Sequence, residues 1–356
     1  MTTIISFIIV IGIIVFVHEL GHFLAAKLSG VRVETFSLGF PPKMISKKIG
    51  ETEYQLAWIP IGGFVKMTGM LDESFDDDYD PKDPKGFISQ PLINKLFILV
   101  AGVLMNFLLG YFIYTGITWN QGVGKLSGTT VTMVNSDYPA ADAGLQIGDR
   151  IVEINGETVT EWIKLTEIIR ERSGVPTMVR WERGDSLMSN EIIPKPTPDF
   201  NLSTMETDTV GKIGIVGSMV MEPVGLFGAL KYGGIEVCWI LKLCGKSIIA
   251  LTTGKAKISD LAGPIGIVKM SGDVARSGFI SFLSFIAFLS INIGFLNILP
   301  IPMLDGGHVV FTLIEAAIRR PIPEKLKMNL MKAGFAALIL LITVVSYFDI
   351  VRLFKG

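Results

Sequence analysis

Two histidines and a glutamate stand inside an otherwise apolar run near the start of the chain. His18, Glu19 and His22 form the pattern H-E-x-x-H within the segment FVHELGHFLAAK. On a helix, side chains four residues apart lie on one face, so the two imidazoles can bind one zinc ion. The glutamate between them lies beside that metal, where metalloproteases have their general base. The pattern therefore predicts a catalytic zinc site with Glu19 as its base.

The helix that carries this motif is predicted to cross a membrane. The apolar run from Ile4 to Leu28 is long enough, since a span needs about 20 such residues. At about 1.5 Å per residue, His18 lies about 9 Å inside the inner boundary of the hydrocarbon. Ionisable side chains at such depth mark function by default, which disfavours a polar helix end at the interface.

The third protein ligand must be His308 or a carboxylate, because the chain holds three histidines and its two cysteines have no metal-binding spacing. His308 ends the segment NILPIPMLDGGH, in which two prolines break the helix and Gly306 and Gly307 allow an unusual turn. Irregular backbone at membrane depth is tolerated only where it lines a cavity. Asp305 in such a cavity is the natural ligand, whereas His308 either binds the metal instead or orients a metal-binding carboxylate.

The composition predicts a polytopic α-helical membrane protein. Of its 356 residues, 49% are hydrophobic and 18% are charged, which is below the quarter that is usual for soluble domains. The net charge of −1 gives no general attraction to nucleic acid, and no nucleic-acid partner is expected. Four transmembrane helices are predicted, at Ile4–Leu28, Leu92–Trp119, Phe279–Leu299 and Ala333–Leu353.

A fifth apolar segment, Glu236–Thr253, is predicted to be an amphipathic helix at the membrane interface. Lys242 and Lys246 lie in its middle, and each would cost about 2.5–3.5 kcal/mol at the centre of a span. A shared metal also requires the first and third spans to run in the same direction, which the second span alone provides. Lysines and arginines after these two spans place the following loops in the cytoplasm, and both termini outside.

The loops predict further structure. Between the first two spans, a strand, a Gly-Gly turn and a second strand are predicted as a membrane-associated β-hairpin over Tyr54–Thr68, followed by an acidic solvated loop at 71–86. Residues 120–198 predict a small independent α+β domain, and residues 199–235 a linker. In the second span, small or polar residues four apart predict close helix packing: Gly102, Asn106 and Gly110. Asn106 is interpreted as an interhelical contact or a substrate contact.

Taken together, these segments resemble the site-2 protease family of intramembrane zinc metalloproteases. The resemblance rests on HELGH, SLGFPPK, IPIGGFVKM, GVLMNFLLG and NILPIPMLDGGH, and is nearest to the bacterial regulator of sigma-E protease branch. The segment YPAADAGLQIGDRIVEINGETV is similar to a PDZ domain. A single such domain is expected here, whereas the best-known enterobacterial members carry two in tandem.

The resemblance implies that His18, His22 and Asp305 bind Zn²⁺ and that Glu19 is the catalytic residue. It also implies substrate binding by an asparagine and a proline of the last motif and by the turn of the hairpin, at Asn297, Pro300, Gly62, Gly63 and Phe64.

The expected partners are the lipid bilayer and single-span membrane proteins that serve as substrates. Anti-sigma factors already shortened by another protease and signal-peptide remnants are both expected from the family. The expected location is the bacterial inner membrane, with the PDZ-like domain outside the cytoplasm. The alternative is a non-catalytic, PDZ-bearing membrane scaffold with a structural zinc, which would have no need of Glu19.

Overall fold

The computed structural model describes residues 2–70, 83–201 and 206–355, which form two compact units. One unit contains the chain up to Ile117 and from Leu230 onward, and the other contains Thr118–Ala229. Most of the segment 71–86, for which an acidic loop is predicted, lies outside the described residues.

The first unit begins with helix α1 (Thr2–Leu28), strands β1 (Val33–Ile49) and β2 (Thr52–Met67), and helix α2 (Leu92–Gln121). β1 and β2 are antiparallel, with several shifts of register. The first part of β1 lies between two parts of β2, since Phe36 pairs with Tyr54 on one side and with Val65 on the other. Residues 63–67 therefore form an edge of this sheet, with no further strand beside them in the described chain.

The prediction of a hairpin within 54–68 is wrong in its pairing. The two halves of that segment do not pair with each other, because β1 lies between them. The segment that becomes β1 contains Pro41 and Pro42, which conceal a strand in a sequence reading. The sheet packs on α1 and α2 through a cluster of buried apolar side chains: Phe36, Val65 and Met67 with Ala25, Ala26, Ile98 and Leu99.

The second unit is built around one antiparallel sheet. Its elements are β3 (Val123–Val134), α3 (Pro139–Asp142), β4 (Arg150–Ile154), β5 (Glu157–Thr158), α4 (Trp162–Glu171), β6 (Thr177–Arg183), β7 (Ser186–Ile192), β8 (Lys195–Asn201), β9 (Glu206–Lys212) and β10 (Ile215–Glu222). The strand order is β10-β3-β4-β6-β7, β5 pairs with β4, and β8 pairs with β9 in a separate hairpin. Trp181 and Ile151 of the sheet pack with Leu165 of α4 in a single core.

The prediction of a linker at 199–235 is wrong. This segment contains β9, β10 and the start of helix α5 (Leu226–Thr252), and β10 pairs with β3 in the central sheet. Polar and proline-rich composition concealed the strands. Proline is tolerated in β8 because a two-stranded hairpin leaves half of its backbone groups without a ladder partner.

The chain returns to the first unit within α5, at Leu230. A short 3₁₀ turn (Ile258–Asp260) precedes α6 (Pro264–Ser277), α7 (Phe279–Asn297), α8 (Asp305–Ile318) and α9 (Glu324–Lys355). Four helices of the described chain are long and apolar enough to cross a membrane, namely α1, α2, α7 and α9. The four predicted spans coincide with these helices and their ends agree within two residues, except that α9 begins at Glu324 rather than at Ala333. The four helices indicate a multi-pass membrane protein. The predicted interfacial helix begins at Leu226 rather than at Glu236.

Glycines allow three of the spanning helices to approach one another closely. A methyl group on Gly21 of α1 would lie 2.5 Å from the carbonyl oxygen of Ala101 in α2. A methyl group on Gly110 of α2 would lie 2.6 Å from Cγ1 of Ile291 in α7. Backbone approach of this kind is typical of membrane helix interfaces, and it confirms the close packing predicted for the second span.

Candidate metal centre

Helix α1 presents both histidines of the H-E-x-x-H motif from one buried face. His18 and His22 are 8% and 7% exposed, and their Nε2 atoms lie 3.2 Å apart. This proximity follows from the four-residue spacing, which places the two side chains one above the other on the helix.

Asp305 reaches the same point from the beginning of α8. After α7 ends at Asn297, the chain makes an irregular turn in which Met303 has a positive φ of 89°, and Asp305 opens the next helix. One of its carboxylate oxygens, Oδ2, lies 3.2 Å from Nε2 of His18 and 3.4 Å from Nε2 of His22.

The two glycines after Asp305 are needed for close packing rather than for an unusual turn. Both are helical and buried in the first turn of α8. A methyl group on Gly306 would lie 2.5 Å from the carbonyl carbon of Ile298, and one on Gly307 would lie 2.8 Å from that of Ile301. Helix α8 thus begins directly on the turn that follows α7, which brings Asp305 down to the histidines.

The three donor atoms fit one zinc ion. Their mutual distances are 3.2, 3.2 and 3.4 Å, and a tetrahedral ion with bonds of about 2.05 Å separates its ligands by about 3.3 Å. Oδ2 of Asp305 is buried and accepts no hydrogen bond, which is costly for a carboxylate unless a cation is its partner. In the described part of the chain, no other cluster of three histidine, cysteine or carboxylate side chains brings its donor atoms so close.

His308 is not part of this cluster of donors. Its ring lines the same cavity and meets Phe311 edge-on, with 6.4 Å between the ring centroids. The geometry therefore favours Asp305 over His308 as the third ligand.

Helix α2 supplies the surface on which both histidine rings rest. Nδ1–H of His22 donates to the carbonyl oxygen of Ile98 over 2.8 Å, which leaves Nε2 free of a proton and directed at the cluster. A methyl group on Gly102 would overlap Nε2 of His22 and lie 2.8 Å from Cε1 of His18. The sequence predicts that Gly102 packs closely, but not that its partners are the histidines.

A cavity of about 280 Å³ opens on His18, His22 and Asp305. Four of the five predicted substrate-binding residues line it, together with Glu19: Asn297, Gly62, Gly63 and Phe64. Pro300 does not, because it is exposed in the turn beyond α7. Nδ2 of Asn297 lies 3.4 Å from Nε2 of His18, and a methyl group on Gly63 would lie 3.3 Å from Cγ of Glu19.

Phe40 also lines the cavity, although the sequence motifs do not assign it a role. Phe40 of β1 lies over Gly62, where any added Cβ would overlap its ring, and Phe40 and Phe64 are stacked with 6.4 Å between centroids. Phe40 belongs to the SLGFPPK motif, so the signal was present in the sequence without a role attached to it.

Comparison with known proteins gives matches over almost the whole chain. A protein of Clostridium acetobutylicum that is named for zinc metalloprotease activity is 34% identical, over 97% of this chain and 96% of its own length. The regulator of sigma-W protease RasP of Bacillus subtilis is 30% identical, over 99% of each protein. The PDZ domain of an SdrC-like protein of Listeria monocytogenes is 26% identical over 26% of this chain and 90% of that domain, with a TM-score of 0.21. The model of Peptidase family M50 matches residues 6–341, and the chain therefore belongs to this family, the site-2 proteases that its motifs resemble.

Proposed function

We propose that this zinc metalloprotease hydrolyses peptide bonds within the transmembrane segments of single-span membrane proteins. The observation that carries the proposal is the convergence of three donor atoms from α1 and α8 at a cavity that also contains Glu19. Two of these donors belong to a helix that is apolar and long enough to span a membrane. A peptide bond that reaches them has to come from within the bilayer.

Five polar side chains of the cavity have roles in the proposed reaction. His18, His22 and Asp305 hold the zinc, which when bound lowers the pKa of a water molecule and polarises a carbonyl group. Glu19 accepts the proton of the attacking water and later donates it to the amine that leaves. Nδ2 of Asn297 donates a hydrogen bond to the carbonyl oxygen as negative charge develops on it.

The edge of the β1–β2 sheet receives the substrate. A transmembrane helix hides its carbonyl groups in internal hydrogen bonds, so the segment to be cut must unwind and find new partners in the bilayer. Residues 63–67 lie at an edge of the sheet with no further strand beside them in the described chain, and Gly63 at the start of this edge lies next to Glu19. Addition of the unwound segment to this edge supplies hydrogen bonds and places a peptide bond at the cavity.

Proline substitutions along this edge test the strand addition. Phe64→Pro, Val65→Pro and Lys66→Pro should include at least one variant that keeps its zinc but cleaves more slowly, because proline lacks the outward N–H group. Ser46→Pro, on the opposite edge of the same sheet, is the matched control and should cleave normally. Normal cleavage by every zinc-replete edge variant would refute strand addition.

The substrates that we propose are anti-sigma factors already cut by another protease, and signal-peptide remnants. The name of the Bacillus subtilis relative, a regulator of sigma-W protease, favours the first class.

We place the enzyme in the bacterial inner membrane, with both termini and the unit 118–229 outside the cytoplasm. Lys27 and Arg32 after α1, and the basic loop between α8 and α9, support this orientation.

The unit 118–229 is proposed to be a PDZ-like domain that binds or excludes substrates.

The proposed membrane orientation can be tested in intact cells, in a variant that lacks both native cysteines, with single cysteines at the exposed positions Leu187 and Arg319. An impermeant thiol reagent should label the first position and not the second, and the reverse pattern would overturn the proposed topology.

Co-expression with a single-span reporter tests the catalytic proposal. Wild type should cleave the reporter, Glu19→Gln should not, and elemental analysis should find zinc in both proteins. His18→Ala should lose both zinc and cleavage, and Glu161→Gln, at an exposed glutamate of the second unit, is the control that should retain both. Cleavage by Glu19→Gln would reject Glu19 as the base, whereas a zinc-replete wild type without cleavage would favour the scaffold alternative.

A further inference from the structure

Asn106 is a fully buried polar side chain that touches a metal-binding histidine. It lies in α2, one turn beyond Gly102, and its side chain is 0% exposed. Its Nδ2 atom lies 3.3 Å from Nδ1 of His18, while its Oδ1 atom is buried and has no hydrogen-bond partner. It does not line the cavity that would hold the substrate, so it is not a substrate contact.

The hydrogens on these atoms decide what the contact is. When His18 binds a metal through Nε2, its neutral ring carries the proton on Nδ1, which is then a donor. As placed, an amide N–H₂ group faces this N–H, and two donors meet while an acceptor oxygen nearby has no partner. Rotation of the amide by 180° exchanges its nitrogen and oxygen without changing its shape, and it pairs the oxygen with the histidine.

We propose that Asn106 is the positioning residue of His18, with Oδ1 accepting a hydrogen bond from Nδ1–H. This contact fixes the ring and its tautomer so that Nε2 faces the zinc. It matches the contact on the other histidine, where Nδ1–H of His22 donates to the carbonyl oxygen of Ile98. Both imidazoles are therefore oriented by α2, a helix that contributes no ligand to the metal, and the proposal rests on the proposed zinc site.

Asn106 is itself held firmly enough to act in this way. The hydroxyl of Ser290 in α7 donates to its backbone carbonyl oxygen over 2.9 Å. A methyl group on Gly294 of α7 would lie 3.2 Å from its Cβ, so that there is little room for the side chain to move away. Partners that orient metal ligands in this manner typically affect metal affinity by about 10–100-fold.

Metal binding by the full-length protein in detergent tests the proposal without reference to peptidase activity. Asn106→Leu keeps the size of the side chain and removes the acceptor, whereas Asn106→Asp keeps an acceptor. Asn292→Leu is the matched control, because Asn292 lies in α7 and neither of its partners belongs to the cluster of donor atoms. Its amide donates to the carbonyl of Phe288 in its own helix, and its Oδ1 accepts from the thiol of Cys244 in α5. Zinc affinity is measured by competition with a chelator, and site geometry by the absorption spectrum of the Co²⁺-loaded protein.

We expect Asn106→Leu to bind zinc about 10–100-fold more weakly than wild type and to have an altered Co²⁺ spectrum. Asn106→Asp should restore both, and Asn292→Leu should match wild type. If Asn106→Leu does not fold, Asn106→Ala makes the same comparison with a smaller side chain. The positioning role alone would be overturned if the Leu or Ala variant had the affinity and spectrum of wild type, or if Asn106→Asp failed to restore them. Failure of wild type to bind either metal would overturn the zinc site as well.

Discussion

Substitution of Gly102 by alanine should abolish metal binding although Gly102 contributes no ligand. The added methyl group would overlap Nε2 of His22 and lie 2.7 Å from its Cδ2, where ordinary contact begins at 3.4 Å, so the ring would have to move by at least about 0.7 Å. The ring cannot simply swing aside, because its Nδ1–H is bonded to Ile98. The helices cannot simply separate either, because Gly21 already lies against the backbone of Ala101.

A displacement of about 0.7 Å is large for a metal site, in which bond lengths hold to about 0.2 Å. We expect zinc affinity to fall at least 100-fold, or about 3 kcal/mol, and cleavage of a single-span reporter to fall at least as much. Zinc content by elemental analysis and a chelator titration measure the first effect. Gly116→Ala is the control, since no atom lies within 4 Å of its added Cβ and alanine is the better helix former by about 1 kcal/mol. Full zinc occupancy and normal cleavage in Gly102→Ala would show that the rings do not rest on α2 as described.

Two further predictions concern parts of the chain away from the metal. Asp349 of α9 is 3% exposed and accepts hydrogen bonds from the backbone N–H groups of Gly263 and Gly266 at the start of α6. Asp349→Ala should therefore lower the free energy of unfolding by about 2 kcal/mol and lower the thermal unfolding midpoint, with Asp349→Asn intermediate. Equal midpoints for Asp349→Ala and wild type would contradict the capping role. In the second unit, burial acts to raise the pKa of Asp149, but hydrogen bonds from Arg183 and from a backbone N–H outweigh it and lower the pKa below its usual value. A carboxyl group with a lowered pKa stabilises the fold above the pKa of the unfolded chain, and this stabilisation is lost as the pH falls through the pKa of the folded state. The second unit should therefore lose stability below about pH 4, as measured by tryptophan fluorescence, and Arg183→Met should flatten this loss. A pH profile of Arg183→Met identical to that of wild type would argue against the Asp149–Arg183 pair.

The convergence of the proposed metal ligands could be predicted because histidines and carboxylates are rare in apolar surroundings. Two histidines four residues apart are costly in an apolar span unless they share a partner such as a metal ion. Asp305 stands in a segment whose prolines and glycines disfavour a continuous helix. The structure brings these side chains together as expected. The four spans could be predicted as well, because the thickness of the bilayer fixes the length of an apolar run that crosses it.

The strands were predicted less well, and for a physical reason. A strand is stabilised by pairing with its neighbours, and the local sequence of neither β1 nor β10 shows which strand it pairs with. β1 contains two prolines and pairs with both halves of β2, whereas the sequence of 54–68 by itself predicts one turn and two strands that pair with each other. β10 follows a polar, proline-rich stretch and pairs with β3, which lies about 80 residues earlier in the sequence. Pairing over such a distance leaves no local signal.

The sequence of α2 predicts that the helix packs closely, but not which side chains it contacts. The spacing of Gly102, Asn106 and Gly110 predicts that one face of this helix packs closely, but the same spacing would serve any pair of helices. Only the structure shows that the face is divided, with Gly102 and Asn106 against the histidines of α1 and Gly110 against α7. Because apolar contacts in a bilayer have no hydrophobic driving force, backbone approach and a few buried hydrogen bonds must hold the helices in register. Gly102 and Asn106 both pack α2 against its neighbours and contact the histidines, so helix packing and the geometry of the proposed metal site depend in part on the same residues.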